Sequence, residues 1–569
     1  MTSQTPRSGG ELLVDTLAEQ GVTRVSCVPG ESYLPVLDAL REAPIEVDVC
    51  RHEAGAGNMA VAVGKLTGRA GVAMVTRGPG AMHAAIAVHT AEQDAVPMLL
   101  LIGQVALRDR ERGGFQEMNY HEVFGSVAKW VVSLDTVERI PETMARAFRI
   151  AEGGRPGPVV IEMPEDVLAE VASVPDVPRI EQLSAAPTPA AVAAIRDRLA
   201  AAERPLVLLG RSTWSQETAD AARAFAEQYE LPTLAAFRCQ DYIDNTAAVY
   251  CGHVGLGTDA TLAARLEQAD VILAVGGHIG DAETKGYEIL GPRPGRTLLH
   301  VAASEMDVDR YLQASVAVQA TPIEFFRAML GAGSAPEGDP AVPAAGAAAG
   351  DTAASDPAAR RAWLTALRAE EVARATPPQQ ADDVLSAIMT ELADELPADT
   401  IVANGAGNYA VWVHQFVKYR RYGTQLAPAS GAMGFGLPAG IAGGLVHPER
   451  PVVVFAGDGC FSMAMTEMGV LKSSGVPAIV VIVNNGIYGT IRLHQERRYP
   501  GRVSATSFEN PDFVLLAQAF GFTAERVTDA EEFMRVYREA SARGEAAVIE
   551  VMVDPQRSTP SVRLDELQG

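Results

Sequence analysis

Short apolar runs alternate with longer amphipathic ones along most of the chain. Val72–Thr76, Met98–Ile102, Val159–Glu162, Pro205–Leu209, Val271–Val275, Val452–Ala456 and Ile479–Val483 are brief and mostly apolar, and most are rich in β-branched residues. That is the pattern of strands buried on both faces. Stretches with helical spacing, such as Glu11–Glu19 and Thr218–Tyr229, lie between them. The alternation predicts an α/β protein whose parallel sheets are covered by helices on both sides. Two stretches interrupt it. Pro175–Pro189 has several prolines and few apolar residues and reads as a linker, and Gly331–Arg360, rich in Ala, Gly, Pro and Asp, reads as a mobile connector. We therefore expect three doubly wound parallel-sheet domains at 8–172, 187–330 and 378–556, with a linker over 331–377. No repeat of solenoid period is present.

Composition narrows the class. The chain has 569 residues, 48% hydrophobic and 21% charged, enough to bury several cores. Lys and Arg number 47 against 71 Asp and Glu, a net charge of −24 that repels nucleic acid and anionic membrane. An anionic ligand would then need a locally positive site, such as a metal or helix N-termini. Cys27, Cys50, Cys239, Cys251 and Cys460 show neither zinc-ligand nor redox spacing, which predicts reduced thiols and a cytoplasmic protein. The opening MTSQTPRSGG lacks the apolar core of a signal peptide, and runs such as Ala478–Val483 are far shorter than a membrane span.

The richest chemistry lies in RPVVVFAGDGCFSMAMTEMGVLKSSGVPAIVVIVNNGIYG, Arg450–Gly489. Val452–Ala456 is a buried strand, Gly457-Asp458-Gly459 a tight turn at its end, Phe461–Leu471 a stretch of helical spacing, and Ala478–Val483 a second strand leading into Asn484-Asn485. Such a β-α-β unit brings Asp458 and Asn485 to one sheet edge, where open α/β sheets bind ligands. A carboxylate and an amide oxygen are hard ligands suited to Mg²⁺, glycines permit close backbone approach, and a helix N-terminus favours phosphate. A Gly-Asp-Gly turn alone is most often structural; its spacing to the second strand and the Asn pair is what carries the reading.

GDG followed some two dozen residues later by NN resembles the signature of the thiamine diphosphate (ThDP) enzymes. The resemblance implies that Asp458, Asn485 and the backbone of Ile487 hold Mg²⁺. It also implies that Gly457, Gly459 and Cys460 line the diphosphate, Cys460 standing where many relatives have Ser. Arg-His-Glu in VDVCRHEAGAGNMAVAVGKLTGR resembles the family's glutamate motif, which makes Glu53 the carboxyl group against the aminopyrimidine ring; taken alone, it would be an ordinary helix-start Glu. VTRGPGAMHAAIAVHTAEQDAVPMLLLIGQV and GGFQEMNYHEVFGSVAKW resemble segments of the acetolactate synthase-like branch, with Gln116 beside the thiazolium and substrate and Phe115 next to it. GAMGFGLPAGIAGG resembles the pyrimidine-binding segment: Met433 would prop the cofactor and the Gly431 carbonyl would receive its amino group, although a lone Met is more often core. NGAGN resembles a second diphosphate loop, with Gly407 and Asn408 closest.

Four departures from that branch stand out. His494 falls where relatives commonly have a Trp shaping the second-substrate pocket. In VPGESYL, Glu31-Ser32 after Gly30 replaces Gly-Ala, placing a carboxylate near an anionic acceptor unless Glu31 pairs with an Arg. His83 replaces the Asn of GPGATN. His278, in GGHIGDAETKGYEIL, replaces the Arg of a flavin-binding loop, which leaves FAD open. No His-His dipeptide of the simple 2-oxo acid decarboxylases occurs.

The resemblance thus implies a ThDP- and Mg²⁺-dependent carboligase that decarboxylates a 2-oxo acid and joins the remainder to a carbonyl acceptor. The arginines of Arg492–Arg502 are candidates for a lid. The alternatives are a non-oxidative 2-oxo acid decarboxylase, a hydroxyketone lyase of the benzaldehyde-lyase kind and, in another class, a non-catalytic cofactor-binding protein. A homodimer or homotetramer with sites between subunits is implied, with no nucleic-acid or membrane partner.

Overall fold

The apolar runs emerge as strands of three parallel six-stranded sheets in the computed structural model, which describes residues 5–331, 356–380 and 382–567. The first sheet comprises β1 (Arg24–Cys27), β2 (Glu46–Val49), β3 (Gly71–Val75), β4 (Met98–Gln104), β5 (Trp130–Ser133) and β6 (Pro158–Pro164) in the order β2-β1-β3-β4-β6-β5. β3, β4 and β6 are buried along their whole length, as their uninterrupted apolar character requires.

The central sheet holds β7 (Pro205–Leu209), β8 (Thr233–Ala235), β9 (Tyr250–His253), β10 (Val271–Val275), β11 (Thr297–Ala302) and β12 (Val316–Gln319), ordered β9-β8-β7-β10-β11-β12. The third holds β13 (Ile401–Asn404), β14 (Gln425–Leu426), β15 (Val452–Gly457), β16 (Ala478–Asn484), β17 (Thr523–Val527) and β18 (Ala547–Met552), ordered β14-β13-β15-β16-β18-β17. Counted within each sheet, the first and third share the order 2-1-3-4-6-5, while the central one runs 3-2-1-4-5-6.

The chain divides into two compact units. One contains the first and third sheets (1–182, 377–417 and 423–569), the other the central sheet (183–376 and 418–422). Within the first unit one hydrophobic core joins the two sheets. Helix α1 (Glu53–Thr67), rich in Gly and Ala, packs against a second small-residue helix, Gly436–Val446, and Met59, Ala60, Ile441 and Ala442 are buried there. Small side chains allow that close approach of two helices.

Two expectations need correction. The linker expected at 331–377 contains helix Pro357–Arg374, which belongs to the central unit. Trp363 and Leu367 are buried in that unit's core, and the Trp363 indole N–H donates to the Pro205 carbonyl at 3.0 Å. Apolar residues on one face of this Ala- and Arg-rich segment were enough to dock it. The remainder of the expected connector, 332–355, lies outside the described residues. The single helix expected over Phe461–Leu471 is broken into Asp458–Ser462, a 3₁₀ turn at Met465–Glu467, and Met468–Ser474. The break wraps Met463 and Ala464 over Gly434 and turns Glu467 towards the start of α1.

All five cysteines are free and buried. Among the described residues, no helix is long and apolar enough to cross a membrane.

Candidate active site

In a sheet ordered 2-1-3-4-6-5, the topological switch lies between the first and third strands, and ligands bind beyond their C-terminal ends. In the third sheet those ends are Asn404 and Gly457, followed by Gly405–Asn408 and Asp458-Gly459. Gly457 is in register with Val483, so Asp458 and Asn485 leave neighbouring strands at one edge. Asp458 is buried, and its Oδ1 accepts the Gly459 N–H at 2.8 Å. Its Oδ2 accepts the Gly486 N–H at 2.7 Å and the Asn510 amide at 2.8 Å. Burial raises the Asp458 carboxyl above its ordinary value, although these neutral donors pull it down. Asn510 also donates to Asn484 (3.0 Å), Asn484 to Glu550 (2.7 Å), and Arg526 to Glu550 (2.8 Å). A chain of hydrogen bonds therefore runs from a surface arginine to the back of Asp458. The Asn485 side-chain oxygen accepts the Ile487 N–H at 3.2 Å, and Ile487 pairs with Ser507 in an isolated bridge.

A shallow cleft adjoins this edge, lined by Asp383, Asn408, Tyr409, Trp412, Asn485 and Ser558 among others. Asn408 is fixed from both ends: Thr490 donates to its oxygen at 2.7 Å, and its amide donates to Ser558 at 2.6 Å. Gly407 has φ of +138°, a conformation that disfavours side chains. The Cys460 thiol faces inward, accepting the Gly434 N–H at 3.2 Å beside the Tyr409 hydroxyl at 3.8 Å. A Cβ on Gly405 would come within 2.4 Å of that sulfur. Gly431 is exposed and Met433 half-buried on the stretch leading into Gly436–Val446.

In the first sheet, Glu53 is the first residue of α1, whose N-cap His52 accepts the Ala54 N–H on Nδ1 at 3.1 Å. Glu53 Oε2 lies 2.8 Å from His83 Nδ1 on helix α2 (Pro79–Asp94). Glu467, from the third-sheet side, accepts the Arg51 N–H on both carboxylate oxygens, at 3.2 and 3.3 Å. A Cβ on Gly55 would be 2.6 Å from that carboxylate. Burial pushes the Glu467 carboxyl up to about 7, against the pull of the Arg51 and His52 N–H groups.

The switch point of this sheet is filled by the chain itself. The buried Arg77 guanidinium holds Glu31 at 3.1 Å, Glu165 at 3.4 Å and the Phe115 carbonyl at 3.0 Å. Glu31 is thus paired, the condition set by its position. Gly30 abuts Thr76: a Cβ there would lie 2.5 Å from the Thr76 Cβ. Gln116 has φ of +63° and sits directly on Gly78, whose N–H donates to the Tyr120 hydroxyl at 2.8 Å. Strain of this kind in a non-glycine residue collects at functional sites.

Three family models match the chain in order: the thiamine pyrophosphate enzyme N-terminal TPP binding domain at residues 7–123, the central domain at 192–329 and the C-terminal TPP binding domain at 405–551. The acetolactate synthase large subunit of Parasynechococcus marenigrum is 31% identical over 92% of this chain and 84% of its own length. The chain belongs to the thiamine diphosphate enzymes, in the acetolactate synthase branch. Acetolactate synthase isozyme 2 large subunit of Escherichia coli (29% identical, 92% of each chain) and the acetolactate synthase of Bacillus subtilis (29%, 96% of this chain and 93% of its own length) are further relatives.

The residues around Asp458 fit the family's cofactor and metal. A buried carboxylate with only neutral donors lacks a counter-charge that a cation would supply, and the Gly-rich loops leave backbone N–H groups unobstructed by Cβ atoms. Asn510, Tyr409, Thr490, Ser558, Arg77 and Glu467 were not identified from sequence. Each is tied to the site by a contact between residues distant in the chain, although Arg77 and Glu467 lie within segments singled out for other residues and Tyr409 directly follows one.

Two further expected residues are exposed. His494 is exposed on helix Gly489–Arg498, where Arg492 pairs with Glu496 in the same helix at 2.9 Å. Phe115 is 74% exposed. Lys129, which follows the Gln116 segment, donates to the Gly153 and Arg155 carbonyls, both at 2.7 Å, and holds a loop. The partners of Glu53 and those of Asp458 do not overlap. In the central unit, two glycine backbones approach closely at the corresponding switch point: a Cβ on Gly276 would be 2.3 Å from the Gly210 carbonyl. Arg211 is committed to Glu283 at 3.3 Å and to the Phe237 carbonyl at 2.9 Å, and His278 faces Asp307 at 3.6 Å.

Proposed function

We propose that this enzyme is a ThDP- and Mg²⁺-dependent carboligase that decarboxylates a 2-oxo acid and joins the remaining acyl carbon to a second carbonyl. The observation that carries the reading is the presence, in one chain, of a helix-start carboxylate at Glu53 and a hard-ligand pair at buried Asp458 and half-buried Asn485. Both are built on sheets of identical strand order.

Asp458, Asn485 and the Ile487 carbonyl would hold Mg²⁺. The backbone of Gly459 and Cys460, with Gly407 and Asn408, would hold the diphosphate. When bound, ThDP supplies a nucleophilic thiazolium carbon and an electron sink for the loss of CO₂. Glu53 holds and returns the proton that the aminopyrimidine needs, Gln116 orients carbonyl oxygens, and Met433 supports the pyrimidine. The Arg77–Glu31 pair neutralises the carboxylate that would otherwise repel an anionic acceptor.

The separate partner sets of Glu53 and Asp458 support a site completed between two copies of the chain. So do large apolar side chains left exposed, Met463, Tyr488 and Ile491 among them, with the Tyr488 ring over Gly459. The test is complementation. Glu53→Gln and Asp458→Ala chains, each inactive alone, are refolded together, and about a quarter of wild-type turnover is expected, because random pairing restores one intact site in four. No recovery above the separate variants contradicts the two-chain site. Product analysis with one 2-oxo acid, with and without an aldehyde or keto acceptor, separates the carboligase from a plain decarboxylase.

A further inference from the structure

The side-chain oxygens of Glu53 have different surroundings. Oε2 meets His83 Nδ1 at 2.8 Å, whereas Oε1 faces the Cα side of Gly80, where a Cβ would stand 3.3 Å away. Gly80 and His83 are three residues apart on α2, so one face of that helix presents a gap to one oxygen and an imidazole to the other. His52 uses Nδ1 to cap α1, which leaves its N–H at Nε2, and its ring stacks on His83 with centroids 4.6 Å apart and planes at 27°. Candidate ligand atoms of His52, Glu53 and His83 lie within 4.8 Å of one another. Stacked, near-parallel rings nevertheless direct their in-plane lone pairs side by side, and the three groups do not converge on one metal. The other titratable or charged groups around Glu53 are Tyr33, Glu467 and, through Glu467, Arg51.

We propose that His83 is the positioning residue of Glu53 and the group that exchanges its proton with the outside. Nδ1–H donates to the ionised carboxylate and fixes which oxygen is offered to a ligand. When Glu53 must be recharged, a proton taken from water at the exposed Nε2 makes the ring cationic. The Nδ1 proton then passes to Oε2, leaving the neutral ring protonated at Nε2; one proton enters and one is delivered. The relatives' Asn at this position can grip the carboxylate but cannot relay a proton. The inference rests on Glu53 acting as proposed above.

The test starts from cofactor-free enzyme. ThDP with Mg²⁺ is titrated calorimetrically into wild type, His83→Asn, His83→Ala and Glu53→Gln, in buffers of different ionisation enthalpy, to count protons exchanged on binding. His83→Asn is expected to bind ThDP within about threefold of wild type but with an altered proton count. His83→Ala is expected to lose about tenfold to a hundredfold in turnover and to recover part of it with added imidazole. An unchanged proton count in His83→Asn, together with no imidazole rescue of His83→Ala, overturns the proposal. So does one tightly bound Zn²⁺ per wild-type chain that is lost in His83→Ala, which would mark a metal cluster. If Glu53→Gln keeps full turnover, the function reading itself falls. If Glu53→Gln is inactive while both His83 variants behave as wild type, only the role of His83 falls.

Discussion

The first and third sheets share one strand order and differ in what occupies their switch points. In the third, the loops after β13 and β15 carry Gly407, Asn408, Asp458 and Gly459, and Asn408 together with Asn485 lines a shallow cleft. In the first, the equivalent loops carry Glu31 and Arg77, which pair with each other, while Gln116, from the segment after β4, packs on Gly78. Its chemistry is displaced to Glu53, at the start of the helix that follows edge strand β2. On the function proposed above, one scaffold provides a receptor for a charged ligand at one end of the chain and a proton-handling surface at the other. Loop content, not topology, decides which.

The largest expected effect tests the third sheet. Asp458→Ala removes a hard ligand, and turnover should fall by about a thousandfold or more, with ThDP affinity lost in the same titration. Wild-type affinity in that variant would end the receptor reading. Glu53→Gln tests the other end. ThDP should still bind, while turnover drops by about 10²–10⁴-fold. Were binding lost and chemistry spared, the roles of the two sheets would be reversed.

Much of this contrast is legible in sequence. The central strands β3, β4, β6, β7, β10, β15 and β16 could be read because parallel strands buried on both faces are mostly apolar runs, whereas partly exposed edge strands such as β5, β12 and β17 carry no such run. The Asp458–Asn485 pair was legible because one β-α-β unit places both within a few dozen residues. Where contacts cross the chain, no signal survives. Asn510 is 52 residues from Asp458, and Glu467 is 416 residues from Arg51. The linker was drawn too long because the low apolar content of Gly331–Arg360 concealed a docking helix beginning at Pro357.

Glu467 gives a subtler probe, through stability. Its folded carboxyl binds protons up to about pH 7, whereas the unfolded one releases them near the ordinary value of 4.5. The native state therefore holds more protons between these values, and stability must fall as pH rises through that window. Glu467→Gln should flatten the slope, with a gain of roughly 2–3 kcal/mol at the alkaline end as an upper figure. Denaturant midpoints from pH 4.5 to 8 measure it, and parallel slopes for the two proteins would contradict the assignment.

The smallest effect is expected at Cys460. Its sulfur is buried and accepts from Gly434, an acceptor role that a hydroxyl can also fill, so Cys460→Ser should change ThDP affinity by less than about threefold. A tenfold change would mean that the side chain, and not only the backbone, touches the ligand.

The carboxylate of Glu467 is the floor on which the segment before Glu53 rests, and it is supplied by the opposite half of the chain. The N-terminal domain is therefore not a portable module. A chimera that grafts it onto a relative's C-terminal half would carry the acid–base residue but leave its footing behind, unless a carboxylate stood in the same place opposite Gly55. Exchange between relatives has to move these two halves together.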